Sequence, residues 1–436
     1  MHETLPPPTP RQLAWLEAEL GLFCHFGINT FFDKEWSDGT LPAEGFAPTD
    51  LDVRQWVDVA KAGGFRYLML TAKHHDGFCL WPTDTTDYSV ARSPWKGGRG
   101  DLVADVAEAC RDAGIALGLY LSPWDRHEPC YPDAEAYDRF YARQLTELCT
   151  RYGELFELWF DGAGSENRVY DWDRFMAIAA EHQPRAMIFN MGNPTIRWVG
   201  NEDGLADDPN PLHVHRVSKS AFTDQGETLD ATPSPHCLPA ECDVAIRQNW
   251  FWHADDLATL KSREHLLAIY YRSVGRGSNL LLNMGPDIRG RITDPDAARW
   301  GEVHDELQRR FAHPNGCRLT DHPRGLRLDF DRPATIDHLV LAEDLMKAPL
   351  VDGFRVLDAA GRELTTGRTI GHKRILPFNQ TTTPHLLLEL DPPAGPGSIR
   401  SAVGYLTGHT TLPSVGSPLD YDAWAQKADR PAEPSP

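Results

Sequence analysis

Between residues 20 and 290 the chain repeats one pattern: a short apolar run rich in β-formers, a polar patch, then a segment of helical period. The apolar runs fall at 20–26, 67–72, 115–121, 155–160, 186–190 and 279–283. Each is apolar almost throughout, as a parallel strand covered on both faces must be; a strand with one wet face would alternate. Helical periods lie between them. One is capped at Thr49-Asp50 and stopped at Gly63-Gly64, one is capped at Asp101 and ended at Gly114, and others cover 134–150, 173–181, 255–271 and 296–311. Six strands are visible, and the irregular stretch 198–247 is long enough to hold one or two more. The pattern predicts an α/β fold, a (β/α)8-like barrel of roughly 250 to 300 residues.

After His313-Pro314-Asn315-Gly316 helical periodicity stops and short strands with turn punctuation take over, at 326–330, 337–341, 353–357, 385–390 and 401–405. Asp358-Ala359-Ala360-Gly361 reads as a hairpin turn. A C-terminal antiparallel β-sandwich of about 100 residues follows from this. The domains are drawn at 1–314 for the catalytic barrel and 315–436 for the sandwich, whose last stretch from 414 is a loose tail rich in Pro, Ser, Asp and Ala.

Charge narrows the function classes. Lys and Arg number 43 against 63 Asp and Glu, a formal charge of −20 that repels phosphate backbones and anionic lipid surfaces. No nucleic acid partner is expected, and no run of 18 apolar residues offers membrane insertion. The start lacks a basic segment followed by an apolar one. The expected compartment for the chain as it stands is the cytoplasm, or the periplasm or exterior if a leader was removed. The 8 cysteines lie mostly inside apolar runs and form no Cys-x-x-Cys, which is the usage of small core residues under reducing conditions.

In a parallel barrel, side chains at the carboxyl ends of the strands face one pocket. His25 follows the first run; His74, His75 and Asp76 follow the second; Tyr120 and Ser122 close the third; Asp161 closes the fourth and Asn190 the fifth. Asp161 is the sharpest candidate, because Gly162 leaves its approach to a substrate open. Glu202, in the irregular stretch, can bring a second carboxyl group, and one ionised with one protonated carboxyl is the minimum equipment for cleaving a glycosidic bond. Glu166, Glu227 and Glu241 are read as loop residues that can also reach the pocket. Trp36, Trp81, Trp95, Trp124, Trp159, Trp198, Trp250 and Trp252 suit stacking on sugar faces, with about half of them expected in the core.

Histidine abundance raises a rival reading. His213-Val214-His215 looks like the paired ligands of a metallohydrolase barrel, yet it follows Pro209-Asn210-Pro211 in a polar loop and does not end the first strand. No His-Glu-x-x-His is present. Adjacent His74 and His75 point in opposite directions in extended backbone, so both reaching one ion requires a bend. No metal and no cofactor is called for. A metal-dependent hydrolase on a His-rich barrel stands as the alternative, beside a catalytically inactive carbohydrate-binding relative.

A longer set of motifs goes further. Leu22-Phe23-Cys24-His25-Phe26-Gly27, Glu35-Trp36, Thr71-Ala72-Lys73-His74-His75-Asp76-Gly77-Phe78, Gly118-Leu119-Tyr120-Leu121-Ser122-Pro123-Trp124 and Leu158-Trp159-Phe160-Asp161-Gly162 resemble the α-L-fucosidases of glycoside hydrolase family 29. Ser273-Val274-Gly275-Arg276-Gly277 with Leu280-Leu281-Leu282-Asn283, and Thr369-Ile370-Gly371-His372-Lys373-Arg374, extend the likeness into the second domain. Ser122-Pro123-Trp124-Asp125-Arg126-His127, Arg197-Trp198-Val199-Gly200-Asn201-Glu202 and Pro239-Ala240-Glu241-Cys242-Asp243 resemble the branch that removes α-1,3- and α-1,4-linked fucose from Lewis-type glycans.

The resemblance implies a retaining mechanism with Asp161 as nucleophile and Glu202 as acid/base, acting on fucosylated oligosaccharides or glycoconjugates. It implies that His25, Glu35, Trp36, His74 and His75 bind fucose; by their places at strand ends and in loops, Tyr120, Trp124 and Trp250 are expected as further substrate-binding residues. Fucose carries a methyl group at its sixth carbon, and Phe23, Phe31 and Trp250 are the candidates for its apolar wall. Two departures from the branch, the segment 207–236 and Gln248-Asn249 in place of Pro-Gly, bear on the branch's aglycone specificity more than on its chemistry.

Overall fold

The computed structural model describes residues 5–416 except 166, 224, 225, 348 and 349. A helix missed in the sequence opens the chain: α1 (Pro10–Ala18), started by a Thr9 and Gln12 capping box with Pro at its first position. Eight parallel strands then form the barrel: β1 (Leu20–Cys24), β2 (Tyr67–Lys73), β3 (Ala116–Leu121), β4 (Glu157–Trp159), β5 (Met187–Phe189), β6 (Arg197–Trp198), and, after a hairpin of β7 (His213–Thr223) and β8 (Gly226–Cys237), β9 (Ala240–Ala245) and β10 (Asn279–Asn283). Their order in the sheet is β5-β4-β3-β2-β1-β10-β9-β6. A parallel bridge between Phe189 and Ile196 draws the last seam together.

The helices after the strands are α2 (Ile28–Phe31), α3 (Val53–Ala62), α4 (Leu102–Ala113), α5 (Ala134–Arg151), α6 (Trp172–His182), α7 (Arg263–Arg272) and α8 (Asp294–Arg310). No helix separates β5 from β6. Two expected helix starts move. Asp52, not Asp50, caps α3, because the Asp50 N–H is held by the Arg289 carbonyl at 2.9 Å. The expected helix over 255–271 breaks at Lys261, whose buried ammonium donates to the Ala245 and Arg247 carbonyls; Ser262 caps α7 anew.

The remaining chain folds as the expected antiparallel β-sandwich. Its strands are β11 (Asn315–His322), β12 (Gly325–Glu343), β13 (Gly353–Asp358), β14 (Glu363–Gly367), β15 (Arg374–Asp391) and β16 (Ile399–Tyr405), in the order β11-β16-β12-β15-β13-β14. One pair of expected short strands is a single long one: β12 runs through both 326–330 and 337–341, with bulges between them. Leu326, Leu328, Ile336, Val356, Leu386 and Leu388 are fully buried in its core. The tail from 417 lies outside the described residues.

The two ends of the barrel differ. Trp15 of α1 donates to Glu157 at the start of β4 (2.9 Å), and its carbonyl accepts from Asn279 at the start of β10 (2.7 Å), so α1 plugs the amino end. Gln12 of the same helix donates to the Cys237 carbonyl at 2.7 Å, and His213 Nε2 lies 2.7 Å from the Pro6 carbonyl. The segment 207–236 therefore leaves the barrel on the amino side. His213-Val214-His215 is in a paired strand of the hairpin, not in a polar loop. Contacts with the sandwich, such as Tyr271 to His338 (3.1 Å) and Arg374 to Asp208 (2.6 Å), also avoid the carboxyl end. Among the described residues no helix is long and apolar enough to cross a membrane.

Lys73 ends β2 as a fully buried cation, 2.9 Å from both Asp125 Oδ2 and Gln144 Oε1. Asp125 also accepts from the His127 and Glu128 amides, so this ion pair pins the loop after β3. Removing one partner strands the other's buried charge. A Lys73→Met variant is expected to lose about 3–5 kcal/mol of stability in urea unfolding; a loss under about 1 kcal/mol would disprove this role.

Candidate active site

A cavity of about 430 Å³ opens at the carboxyl end of the barrel. His25, Trp36, His74, His75, Asp161, Glu202 and Trp250 of the expected site line it, together with Phe23, Trp159, Trp198, Asn201, Asp203 and Asp243.

Asp161 lies two residues beyond Trp159, whose register partner is Tyr120. Its Oδ2 accepts from the Tyr120 hydroxyl at 3.1 Å and stands 3.6 Å from His75 Nε2, while Oδ1 accepts from the Ala163 amide at 2.8 Å. The carboxylate is thus held from both sides and stays 24% exposed, toward the cavity.

The histidine pair reaches one cavity through the bend that neighbours on a strand require. β2 ends at Lys73 after an irregularity in its pairing with β3, and the chain turns: the Gly77 N–H donates to the His74 carbonyl at 3.0 Å. Both rings reach the cavity, their centroids 4.1 Å apart. Gly77 has φ of +84°, and a Cβ there would stand 2.5 Å from Asp125 Oδ1, so only glycine closes this turn. Asp76 caps it through the Phe78 amide at 2.7 Å and does not line the cavity.

Hydrogen bonds set the imidazole tautomers. Asn283 Oδ1, an acceptor, lies 2.9 Å from His25 Nδ1, which must therefore carry its proton. Ser122 gives its hydroxyl proton to the Trp124 carbonyl, so it accepts from His75 Nδ1 at 2.7 Å. In both rings Nε2 is left as an acceptor. Burial lowers all three imidazoles: His25 to about 3, His75 to about 4 despite the opposing charge of Asp161, and His74 well below its ordinary value. The cavity holds three neutral rings at pH 7.

Glu202 sits in the loop after β6, on a turn where the Asn201 side chain binds the Asp203 amide and both backbone groups of Leu205. Its Oε2 accepts from the Trp250 indole at 3.2 Å. Burial first, then the charge of Asp161, pushes its carboxyl up to about 7. Two carboxyl groups of one cavity thus feel each other while their surroundings differ.

Other expected residues stand one layer back. Glu35 is 2% exposed and spends its oxygens on the Trp250 amide (2.7 Å), the Phe251 amide (3.1 Å) and His253 (3.3 Å). Tyr120 acts on Asp161 from below. Trp124 packs on His75, centroids 5.0 Å apart, and edge-on to Trp36. Phe31 is not at the cavity but packs with Phe26 and Phe46, so the apolar wall falls to Phe23, Trp159 and Trp250. Trp81 and Trp95 are core residues.

Glu241 is a correction: it lies in β9, fully buried, bound to Tyr67 (2.9 Å) and to the Trp159 indole (3.0 Å) beneath the cavity. Glu166 and the Glu227 side chain lie outside the described residues. Sequence reading missed Asn283, which ends β10 by the same strand-end rule that marked His25. It also missed Asp243, whose Oδ1 accepts from the Trp198 indole at 2.7 Å.

Chain likeness agrees with the geometry. Residues 8–308 match the profile of the family described as Alpha-L-fucosidase. Alpha-L-fucosidase 1 of Arabidopsis thaliana is 45% identical over 301 residues, which are 67% of this chain and 58% of that protein. A glycoside hydrolase 29 family member from an unknown rumen bacterium superposes with a TM-score of 0.83 at 33% identity, over 94% of this chain and 79% of its own. A Ruminococcus gnavus family 29 fucosidase in complex with fucose gives a TM-score of 0.77 at 26% identity, over 92% and 94%. The metal reading is not favoured: the His213 and His215 strand leaves from the amino side, and among the described residues no group of three or more His, Cys, Asp or Glu side chains is gathered to hold an ion. With its profile match spanning well over half of its length, the chain belongs to the α-L-fucosidases of glycoside hydrolase family 29.

Proposed function

We propose that the enzyme removes terminal α-L-fucose, α-1,3- or α-1,4-linked at branched Lewis-type glycans, by double displacement with retention. One observation carries the mechanism: Asp161 and Glu202 line the same cavity, where burial and the charge of Asp161 lift Glu202 to about 7. A carboxyl with that value is about half protonated at pH 7 and is matched to proton transfer. Asp161 attacks the anomeric carbon as Glu202 gives its proton to the departing glycosidic oxygen. Glu202 then takes a proton from water, which attacks the same carbon and frees Asp161.

Neutral imidazoles suit sugar recognition. With Nδ1–H bound inside the protein, His25 and His75 offer Nε2 lone pairs to substrate hydroxyls, each contact worth about 1 kcal/mol. The fucose methyl group takes the wall of Phe23, Trp159 and Trp250. For the linkage, the support lies in the motif of residues 122–127, which sets Trp124 beside His75 with Arg126 5.1 Å over its ring, next to the glycone cavity.

Product analysis with Lewis-type trisaccharides, a 2-linked fucoside and an aryl fucoside tests the linkage. Faster release from the branched trisaccharides than from the 2-linked sugar is expected. Preference for the 2-linked sugar would refute it.

A further inference from the structure

Trp250 is tied at every polar atom. Its amide donates to Glu35 Oε1 at 2.7 Å, its carbonyl accepts from Asn283 Nδ2 at 2.7 Å, and its indole donates to Glu202 Oε2 at 3.2 Å. Glu35 also receives the Phe251 amide at 3.1 Å. A carboxylate this buried requires a counter-charge. His253 stands there: Nε2 is 3.3 Å from Glu35 Oε2 and Nδ1 is 3.0 Å from Asp33 Oδ1. Asp256 also faces His253 but is paired with Arg247 at 2.6 Å. The relay thus runs from the half-open Asp33 through His253 and Glu35 into the peptides that carry the Trp250 indole.

We propose that His253 is a positioning residue: through Glu35 it fixes the Trp250 and Phe251 peptides, and through the Trp250 indole it sets Glu202 against the leaving oxygen. Burial and the two carboxylates act on His253 in opposite senses, with the carboxylates prevailing, so it keeps its proton more firmly than a free imidazole. This rests on Glu202 as the acid/base. It adds that a residue outside the cavity governs the proton-transfer geometry.

The test separates acid catalysis from general damage. In His253→Ala, compared with wild type at equal folded fraction, kcat/KM for a fucosyl oligosaccharide is expected to fall by up to about 10²-fold, the scale of a misplacement near 1 Å. For a 2,4-dinitrophenyl fucoside, whose leaving group needs little proton help, the fall is expected to stay under about threefold. His253→Gln, which keeps an N–H for Glu35, should recover part of the loss. Adding His253→Ala to Glu202→Ala should cost nothing further. Equal losses on both substrates, or multiplied losses in the double variant, would overturn the proposal. Wild-type kinetics in Glu202→Ala alone would remove the acid/base assignment, and with it the route from His253.

Discussion

An Asp161→Gly variant is expected to lose turnover by roughly 10⁴-fold or more, since removing a nucleophile has cost up to about 10⁶ in kcat elsewhere. The fold should survive, because Asp161 is partly exposed and its bonds are local ones to Tyr120 and Ala163. Fucose binding should also survive, as the imidazoles keep their partners in Asn283 and Ser122. Azide placed in the vacated volume should attack the substrate directly and yield β-fucosyl azide, the inverted product. Near-normal turnover in this variant would end the nucleophile assignment.

The second large effect concerns Glu202. Glu202→Ala is expected to slow release from oligosaccharides by roughly 10²–10⁴-fold. Azide should then give α-fucosyl azide, because it enters only after the covalent intermediate has formed, from the face water normally uses. An inverted azide product from this variant would mean that the two roles are exchanged. The pH profile follows with a definite sign. On the proposed assignment Glu202 donates the proton, and its carboxyl is raised to about 7, so kcat/KM for oligosaccharides should fall as pH rises through about 7. His25 and His75 titrate near 3 and 4, well below that window, and do not produce this limb. Glu202→Gln should abolish it; survival of the same limb would assign the proton to another group.

Much of this arrangement was legible because buried parallel strands leave continuous apolar runs, and the residue after each run enters a shared pocket by geometry. His25, Asp161 and the Tyr120 hydroxyl were visible in that way. Strand β6 was not, since two residues leave no periodicity. Helix α1 was overlooked although Thr9, Pro10 and Gln12 carry a complete start signal. That His74 and His75 converge needs a bend, since alternation holds while a strand lasts; the turn at Gly77 that supplies it is a property of contacts with Asp125, distant in sequence. Glu35 and Glu241 carry the residue type of catalytic groups, and only burial and hydrogen-bond partners place them as braces. The broken helix at Lys261 has the same origin, a long-range pull on one side chain.

The excursion between β6 and β9 closes on itself: the Leu238 amide meets the Leu212 carbonyl at 2.9 Å, and among the described residues β7 and β8 pair with each other alone. Its stem stands against α1, on the side of the barrel where no chemistry is done. Descendants of this gene can therefore lengthen, shorten or replace that ribbon while the catalytic rim is inherited unaltered, a freedom the loop bearing Glu202 does not have.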